Sequence, residues 1–175
     1  HILPVYPLTY ALAAGLYGRY GRAVYGRAWA AAGVAAVALL AYESAAIAGH
    51  DLAFFNLAAG GPAGGAQILV DSNIDWGQSL GELRTWLGGR PPGEVCLVYF
   101  GTAPMEHYGF SVCGLPPAAE IEQGVKPERR YVAISVTLLQ GVYHKREWYS
   151  WLRARKPAAR VGESIYVYDV SDMER

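Results

Sequence analysis

An apolar run from Ala28 to Gly49 constrains this chain more than any other feature of its sequence. The run consists mainly of Ala, Val and Leu, and Glu43 is its only formally charged residue. Roughly 20 apolar residues that rise by ~1.5 Å each in a helix cross a hydrocarbon core of about 30 Å. The run therefore predicts a transmembrane helix. Glu43 lies close to its C-terminal end, where we expect the carboxylate at interfacial depth.

The segment before this run predicts a second, shorter membrane helix. Residues 2–18 are largely apolar, although their length is marginal for spanning. The linker to the next helix carries Arg19, Arg22 and Arg27 and no acidic residue. Because short arginine-rich loops remain in the cytoplasm, we predict that this linker is cytoplasmic and that everything after Gly49 lies outside.

The composition fits a membrane-attached protein and argues against one class of partner. Hydrophobic residues make up 53% of the chain and charged residues 17%, whereas an ordinary soluble domain averages about 25% charged residues. Basic and acidic residues balance at 15 each. No basic stripe interleaved with aromatic residues is present, so the sequence predicts no nucleic-acid partner.

The two cysteines, Cys96 and Cys113, are too few for a disulfide scaffold and lack the spacing of a metal site. Cys96 falls inside a predicted strand, and Cys113 falls in a predicted turn near glycine and proline. An external location would permit a disulfide. We nevertheless expect two separate buried thiols, because a strand interior and a turn offer no obvious pairing.

Beyond the predicted spans of residues 1–49, the chain divides into a linker and an outer domain. Residues 50–66 join an aromatic, apolar cluster to a glycine-rich tail, which is typical of an interfacial segment. In residues 67–175, predicted strands alternate with predicted helices. The strands are expected at 67–70, 94–100, 131–138 and 164–170, and the helices at 77–87 and 144–155. The predicted fold is therefore two membrane α-helices followed by an external α/β domain with an open, mostly parallel sheet.

Polar and aromatic residues crowd the end of the first predicted strand. The stretch ILVDSNIDWGQSL contains Asp71, Asn73, Asp75, Trp76 and Gln78. Ligands of open α/β sheets bind beyond the carboxyl ends of strands, where residues 101–105 and 137–140 are also expected. These five residues are therefore the candidate substrate-binding or structural motif of the chain.

Three interpretations of this motif compete. In the first, Asp75 is the N-cap of a helix that opens at Trp76, with Gln78 in the third helical position of a capping box. In the second, a divalent cation such as calcium binds to Asp71, Asn73, Asp75 and Glu82, although Trp76 stands where a calcium loop needs glycine. In the third, the polar groups bind sugar hydroxyls beside the Trp76 ring, or dock against another part of the same protein. We predict mainly a structural hinge, with ligand binding secondary.

The sequence contains no recognisable catalytic constellation. It has no serine-nucleophile elbow, zinc-protease helix motif or dinucleotide-binding glycine motif, and its histidines are scattered. We therefore assign no catalytic residue and no cofactor, and no metal beyond the weak calcium candidate. Five basic residues are expected to form a solvated helix face and its end: Arg146, Arg153, Arg155, Lys156 and Arg160.

Five segments along the chain carry a family resemblance: HILPVYP, FFNLAAGGPAGG, ILVDSNIDWGQSL, ISVTLLQGVY and WLRARKPAARVGESIYVYDV. Together they resemble the C-terminal part of bacterial membrane glycosyltransferases of family 39, relatives of the protein O-mannosyltransferases. The resemblance covers essentially the whole chain, and DSNIDWGQSL is its most specific segment. It implies a many-helix membrane protein that uses a polyprenyl-phosphate sugar donor. The catalytic carboxylate of such a protein lies in an external loop near its N-terminus.

On this resemblance we interpret the chain, which begins with His1, as the C-terminal fragment of such a transferase in a bacterial inner membrane. The external domain, on the periplasmic or extracellular side, would help acceptor binding or stability. The implied partners are membrane lipid, a polyprenyl-phosphate sugar donor, and the remainder of the same protein or a larger membrane complex. The alternative is a non-enzymatic, membrane-anchored subunit that binds carbohydrate or braces an assembly.

Overall fold

The computed structural model describes residues 5–21, 26–111 and 113–173 of the chain. The chain divides into two compact units, His1–Ala46 and Ile47–Arg175. The first unit contains helix α1 (Val5–Leu16), a π-helical turn (Tyr17–Gly21) and helix α2 (Gly26–Ala46).

Helix α2 is the one candidate membrane span among the described residues, judged by length and composition alone. It has 21 residues and a mean hydropathy of 1.4. Helix α1 has 12 residues, which extend only about 18 Å and fall short of a hydrocarbon core of about 30 Å. The prediction of two spans is therefore wrong, because α1 ends at Leu16. Arg22 of the predicted cytoplasmic loop lies outside the described residues.

The second unit is built around a four-stranded mixed sheet with the order β1-β2-β4-β3. Strands β1 and β2 are parallel, with Val95 opposite Tyr131, and β4 runs antiparallel to both of its neighbours. The strands are β1 (Val95–Val98), β2 (Tyr131–Ser135), β3 (Ala159–Val161) and β4 (Ile165–Asp169).

The prediction of a mostly parallel sheet is wrong for two reasons. First, β3 and β4 are joined by only three residues, and so short a connection permits antiparallel pairing alone. Gly162 and Glu163 make this turn with φ angles of 55° and 58°. Second, the predicted strand at 67–70 is absent from this described segment, because Gly61–Ile68 is a helix with proline in its first turn.

The helices of the second unit are short. They are α3 (Gly61–Ile68), α4 (Leu80–Leu87), α5 (Ala118–Glu122), α6 (Val136–Leu139) and α7 (Ser150–Arg153). Single 3₁₀ turns lie at Asp51–Ala53, Leu57–Ala59, Asp71–Asn73, Pro92–Glu94, Met105–Tyr108, Arg146–Tyr149 and Ser171–Met173. The helix predicted at 144–155 is thus a 3₁₀ turn followed by α7.

Both faces of the sheet are buried, and the side chains of each strand alternate between two cores. On one face, Ala133 of β2 packs with the three leucines of α4. On the other face, Val132 and Ile134 pack with Leu139 of α6 and Leu152 of α7. All five residues of β2 are buried, which explains why the first four of them are apolar or aromatic.

Cys96 and Cys113 form a disulfide, with their Cα atoms 5.4 Å apart. The expectation of two separate thiols is therefore wrong. Cys96 points from β1 into the same core against which Cys113 packs, so the two sulfur atoms meet although the cysteines lie in different local structures. The bond ties the edge strand β1 to the segment before α5.

We expect this disulfide to stabilise the second unit by about 3 kcal/mol, the value typical of a loop of this size. Iodoacetamide should label neither cysteine in denatured protein unless a reductant is added, and mass spectrometry should then detect two adducts. The Cys113→Ser variant should unfold at lower urea concentration than the wild type and should be insensitive to reductant. Labelling of both cysteines without reduction would contradict the bond.

Candidate functional site

The candidate motif is a loop and does not open a helix. Helix α4 begins at Leu80, after the N-cap residue Ser79, whose side chain makes no capping bond. The Oδ1 atom of Asp75 instead accepts a hydrogen bond from Gly77 N at 3.0 Å, and Gln78 Oε1 accepts one from Trp76 N at 2.8 Å. The predicted capping box is therefore wrong. Such local bonds from side chain to backbone compete with helix formation.

This loop is attached to the carboxyl ends of β1 and β2, which meet at one edge because the two strands are parallel. The hydroxyl of Tyr99, just after β1, donates to Gly77 O at 2.6 Å. The backbone N–H of Asp71 donates to the Thr137 hydroxyl, just after β2, at 3.2 Å. The expected meeting of the motif with residues 137–140 thus occurs through Thr137.

Asp75 lies at the centre of this arrangement and is fully buried. Its Oδ2 atom makes no hydrogen bond of normal geometry with any described residue. Burial raises the pKa of the Asp75 carboxyl above its ordinary value of 3.8, although Gly77, Ser135 and Thr137 oppose this shift by hydrogen bonding. Ser135 and Thr137 are able to do so because each hydroxyl accepts a bond from a backbone N–H and keeps its own proton to donate. Ionisation of Asp75 is therefore less favourable in the folded protein than in the unfolded chain.

Gly77 is required by the geometry of the loop. Its φ angle is +76°, and a Cβ atom there would lie 2.8 Å from Phe100 O and would collide with the Tyr99 hydroxyl. A side chain at this position would push the loop away from the sheet edge. The glycine of the motif thus allows the close approach on which the burial of Asp75 depends.

The other side of the loop faces outward. Trp76 is 63% exposed, and its ring is held by a 3.0 Å hydrogen bond from Nε1 to Ser72 O. Asn73 and Gln78 are exposed as well. At the partly buried Asp71, Oδ2 accepts a 3.0 Å bond from the Tyr143 hydroxyl, and this bond raises the pKa of Tyr143. The motif therefore separates into a buried part around Asp75 and an exposed part around Trp76.

The proposed calcium ligands do not come together. Glu82 Oε2 lies 2.8 Å from His50 Nε2, whereas Asp75 is buried beneath the loop. Across residues 5–21, 26–111 and 113–173, no group of three His, Cys, Asp or Glu side chains is arranged to hold a metal ion. Asp71, Asp75 and Glu82 therefore form no such centre.

Sequence reasoning missed the partners of the motif. Tyr99, Ser135 and Tyr143 contact it, yet all three lie far from it in the sequence. The sequence signal that could have found these partners is the position of polar residues directly after apolar strands. This signal places residues 101–105 and 137–140 at the same ends of the strands as the motif.

Comparison with models of known protein families, with curated proteins and with solved structures finds no match to this chain.

We expect Gly77→Ala to destabilise the second unit by about 2–4 kcal/mol, through strain at positive φ and overpacking against the strand ends. Gly81→Ala is the matched control, because a Cβ atom there would meet nothing closer than the Tyr108 ring at 3.8 Å. That variant should gain about 0.5–1 kcal/mol from helix propensity. Urea unfolding of both variants measures the difference, and equal effects would contradict the close approach at Gly77.

Asp75→Asn should change how stability depends on pH. Because burial raises the pKa of Asp75, the folded state binds this proton more tightly than the unfolded state. Protonation of Asp75 therefore contributes to the free energy of unfolding. This contribution is fully present below pH 3.8 and is lost as the pH rises through the raised pKa of the folded state. The free energy of unfolding of the variant minus that of the wild type should therefore increase across this window. The exposed Asp51→Asn substitution is the control, and an Asp75→Asn difference that stayed constant would contradict the burial argument.

Proposed function

We propose that this chain is the C-terminal part of an integral-membrane glycosyltransferase that uses a polyprenyl-phosphate sugar donor. In this proposal, the unit Ile47–Arg175 lies outside the membrane and the exposed part of the motif contacts the acceptor. The buried part of the motif maintains the loop conformation. The resemblance of ILVDSNIDWGQSL to the family 39 transferases suggests the reaction, and the geometry of the loop suggests the role of this unit.

The observation that carries the proposal is the fixed, exposed ring of Trp76. The indole ring of tryptophan is a large, rigid apolar surface. A ligand that covers an exposed ring removes this surface from water, which favours binding. Here the Nε1–Ser72 bond sets the ring orientation, and the polar side chains of Asp71 and Asn73 belong to the same loop. An apolar face beside a few oriented polar groups is typical of a small-molecule site and suits a sugar ring with its hydroxyl groups.

Two features support an external location for the second unit. Arg19, Arg22 and Arg27 precede or begin α2, and arginines near a membrane helix favour the cytoplasmic side. If α2 spans the membrane, the chain after it emerges outside. The disulfide between Cys96 and Cys113 supports the same placement, because disulfides persist in oxidising compartments. The proposed location is therefore the periplasmic or extracellular face of a bacterial inner membrane.

Sugar transfer by the full-length protein in its membrane tests the proposal, with a radiolabelled polyprenyl-phosphate sugar as donor. Trp76→Ala should reduce transfer at least about tenfold, equivalent to about 1.4 kcal/mol of lost binding. Its thermal midpoint should stay close to that of the wild type, because the ring is exposed. Trp148→Ala is the control, since Trp148 is also exposed, at 43%, but lies outside the motif.

The outcomes separate the two functions considered. Normal sugar transfer by Trp76→Ala would show that the motif does not bind the acceptor. If the wild type bound oligosaccharide through Trp76 but transferred no sugar from polyprenyl-phosphate donors, the chain would be a membrane-anchored carbohydrate-binding subunit. A matching loss of transfer in Trp148→Ala would show that the assay reports general damage.

A further inference from the structure

A cavity in the Ile47–Arg175 unit lies away from the motif and is strongly basic. Its volume is about 390 Å³, within the range of small-molecule pockets. Four arginines line it: Arg146, Arg153, Arg155 and Arg160. We had expected these side chains on a solvated helix face, but they come from a 3₁₀ turn, α7, the segment after it and β3. None of the described residues that line the cavity is acidic.

Two of the arginines are held in place by the protein. Arg153 donates from Nη1 to Leu139 O at 2.6 Å and from Nη2 to Arg146 O. Arg155 Nη1 lies 2.8 and 3.0 Å from the two carboxylate oxygens of Asp172. These bonds fix the guanidinium groups beside the cavity, and the Asp172 carboxylate balances only one of the four positive charges.

The other two arginines remain available to a ligand. The guanidinium of Arg160 lies 5.3 Å from the centre of the Tyr166 ring in a cation–π contact, and its N–H groups donate to no residue that the structure describes. Arg146 donates no side-chain hydrogen bond to any residue in the described part of the chain. Both residues are exposed, so a ligand would reach them without rearrangement of the core.

The electrostatics of the cavity are unfavourable when it is empty. Burial, and then repulsion by Arg146, lower the pKa of Arg153 from its usual value, and the smaller opposing effects of Glu147 and Tyr168 do not cancel this shift. The Tyr168 phenol is protonated at neutral pH, as an ordinary tyrosine is, and burial raises its pKa further, to about 12. The cavity thus combines positive charge with neutral donors, and an anion would relieve the repulsion.

We propose that this cavity binds a phosphate monoester or a diphosphate. Guanidinium groups from several directions suit an anion with three or more oxygen atoms, whereas a single carboxylate is satisfied by one bidentate arginine. In this assignment Arg146 and Arg160 contact the phosphate oxygens. Arg153 and Arg155 contribute to the positive electrostatic potential of the cavity. The phosphate belongs to either a soluble compound or a lipid headgroup. The site does not depend on the transferase proposal, because anion binding requires no sugar transfer.

Isothermal titration with inorganic pyrophosphate tests the site, using the whole chain in phosphatidylcholine nanodiscs at constant ionic strength. The double variant Arg146→Gln/Arg160→Gln should bind roughly 10- to 100-fold more weakly than the wild type, given the strength of charged hydrogen bonds. The control Arg84→Gln/Arg90→Gln removes the same charge from residues that do not line the cavity. It should bind as the wild type does.

Three results would overturn the proposal. They are no pyrophosphate binding by the wild type, equal binding by the cavity variant, and an equal loss in the control, which would show that only net charge matters. If near-ultraviolet circular dichroism shows that the double variant is misfolded, Arg146→Gln alone replaces it, with Arg84→Gln as its control.

Nanodiscs that also contain phosphatidic acid distinguish the two sources of phosphate. A lipid headgroup in the cavity would compete, so the apparent affinity for pyrophosphate would fall in these discs and the fall would disappear in the cavity variant. Unchanged affinity would assign the site to a soluble phosphate compound. Both results support the anion site, and both can be read whether or not the protein proves to transfer sugar.

Discussion

The parallel pairing of β1 with β2 is the constraint on which the candidate site depends. Because the two strands run in the same direction, the residues that follow them lie at one edge and hold a single loop between them. Tyr99 anchors Gly77, and Thr137 anchors Asp71. An antiparallel pair would have placed Tyr99 and Thr137 at opposite ends of the strands, where they could not hold the same loop.

The buried carboxyl group gives the loop a property that apolar packing would not supply. A buried polar group restricts a loop to the few conformations in which its hydrogen bonds form. Asp75 meets this requirement only partly, since Oδ1 accepts a bond from Gly77 N, whereas Oδ2 makes no bond of normal geometry within the described part of the chain. The cost of burial therefore falls on its ionised form. The exposed Trp76 next to it belongs to the same hydrogen-bonded loop.

Local patterns in the sequence predicted some helices and strands well. They did not predict structure that depends on contacts between residues distant in the sequence. The spacing of Leu80, Leu83 and Leu87 predicted the core of α4, because this pattern reports burial on one face of a helix. The strand predicted at 131–138 contains β2 but is too long, since residues 136–138 belong to α6. The apolar segment at 67–70 was assigned to a strand because its side chains favour strands. The glycine-rich stretch before it, with its early proline, begins a helix that reaches Ile68.

The remaining errors concern tertiary contacts. No local rule places Ser135 beside Asp75 or Cys113 beside Cys96, because the members of each pair are distant in the sequence and are brought together by the fold. The assignment of the arginines to one solvated face failed for the same reason. They belong to different elements whose ends meet at one cavity. The acidic motif was found from its composition alone, but the division into buried and exposed parts required the fold.

The short outer strands of the sheet have a consequence for association between molecules. Strand order leaves β1 and β3 as the two edges, with four and three residues, respectively. An exposed edge is a template for a strand from another molecule, and short edges with charged side chains weaken that template. Arg160 stands in the middle of β3, and the disulfide at Cys96 draws a further segment against β1. The sheet is thus poorly suited to growth by strand addition at either side.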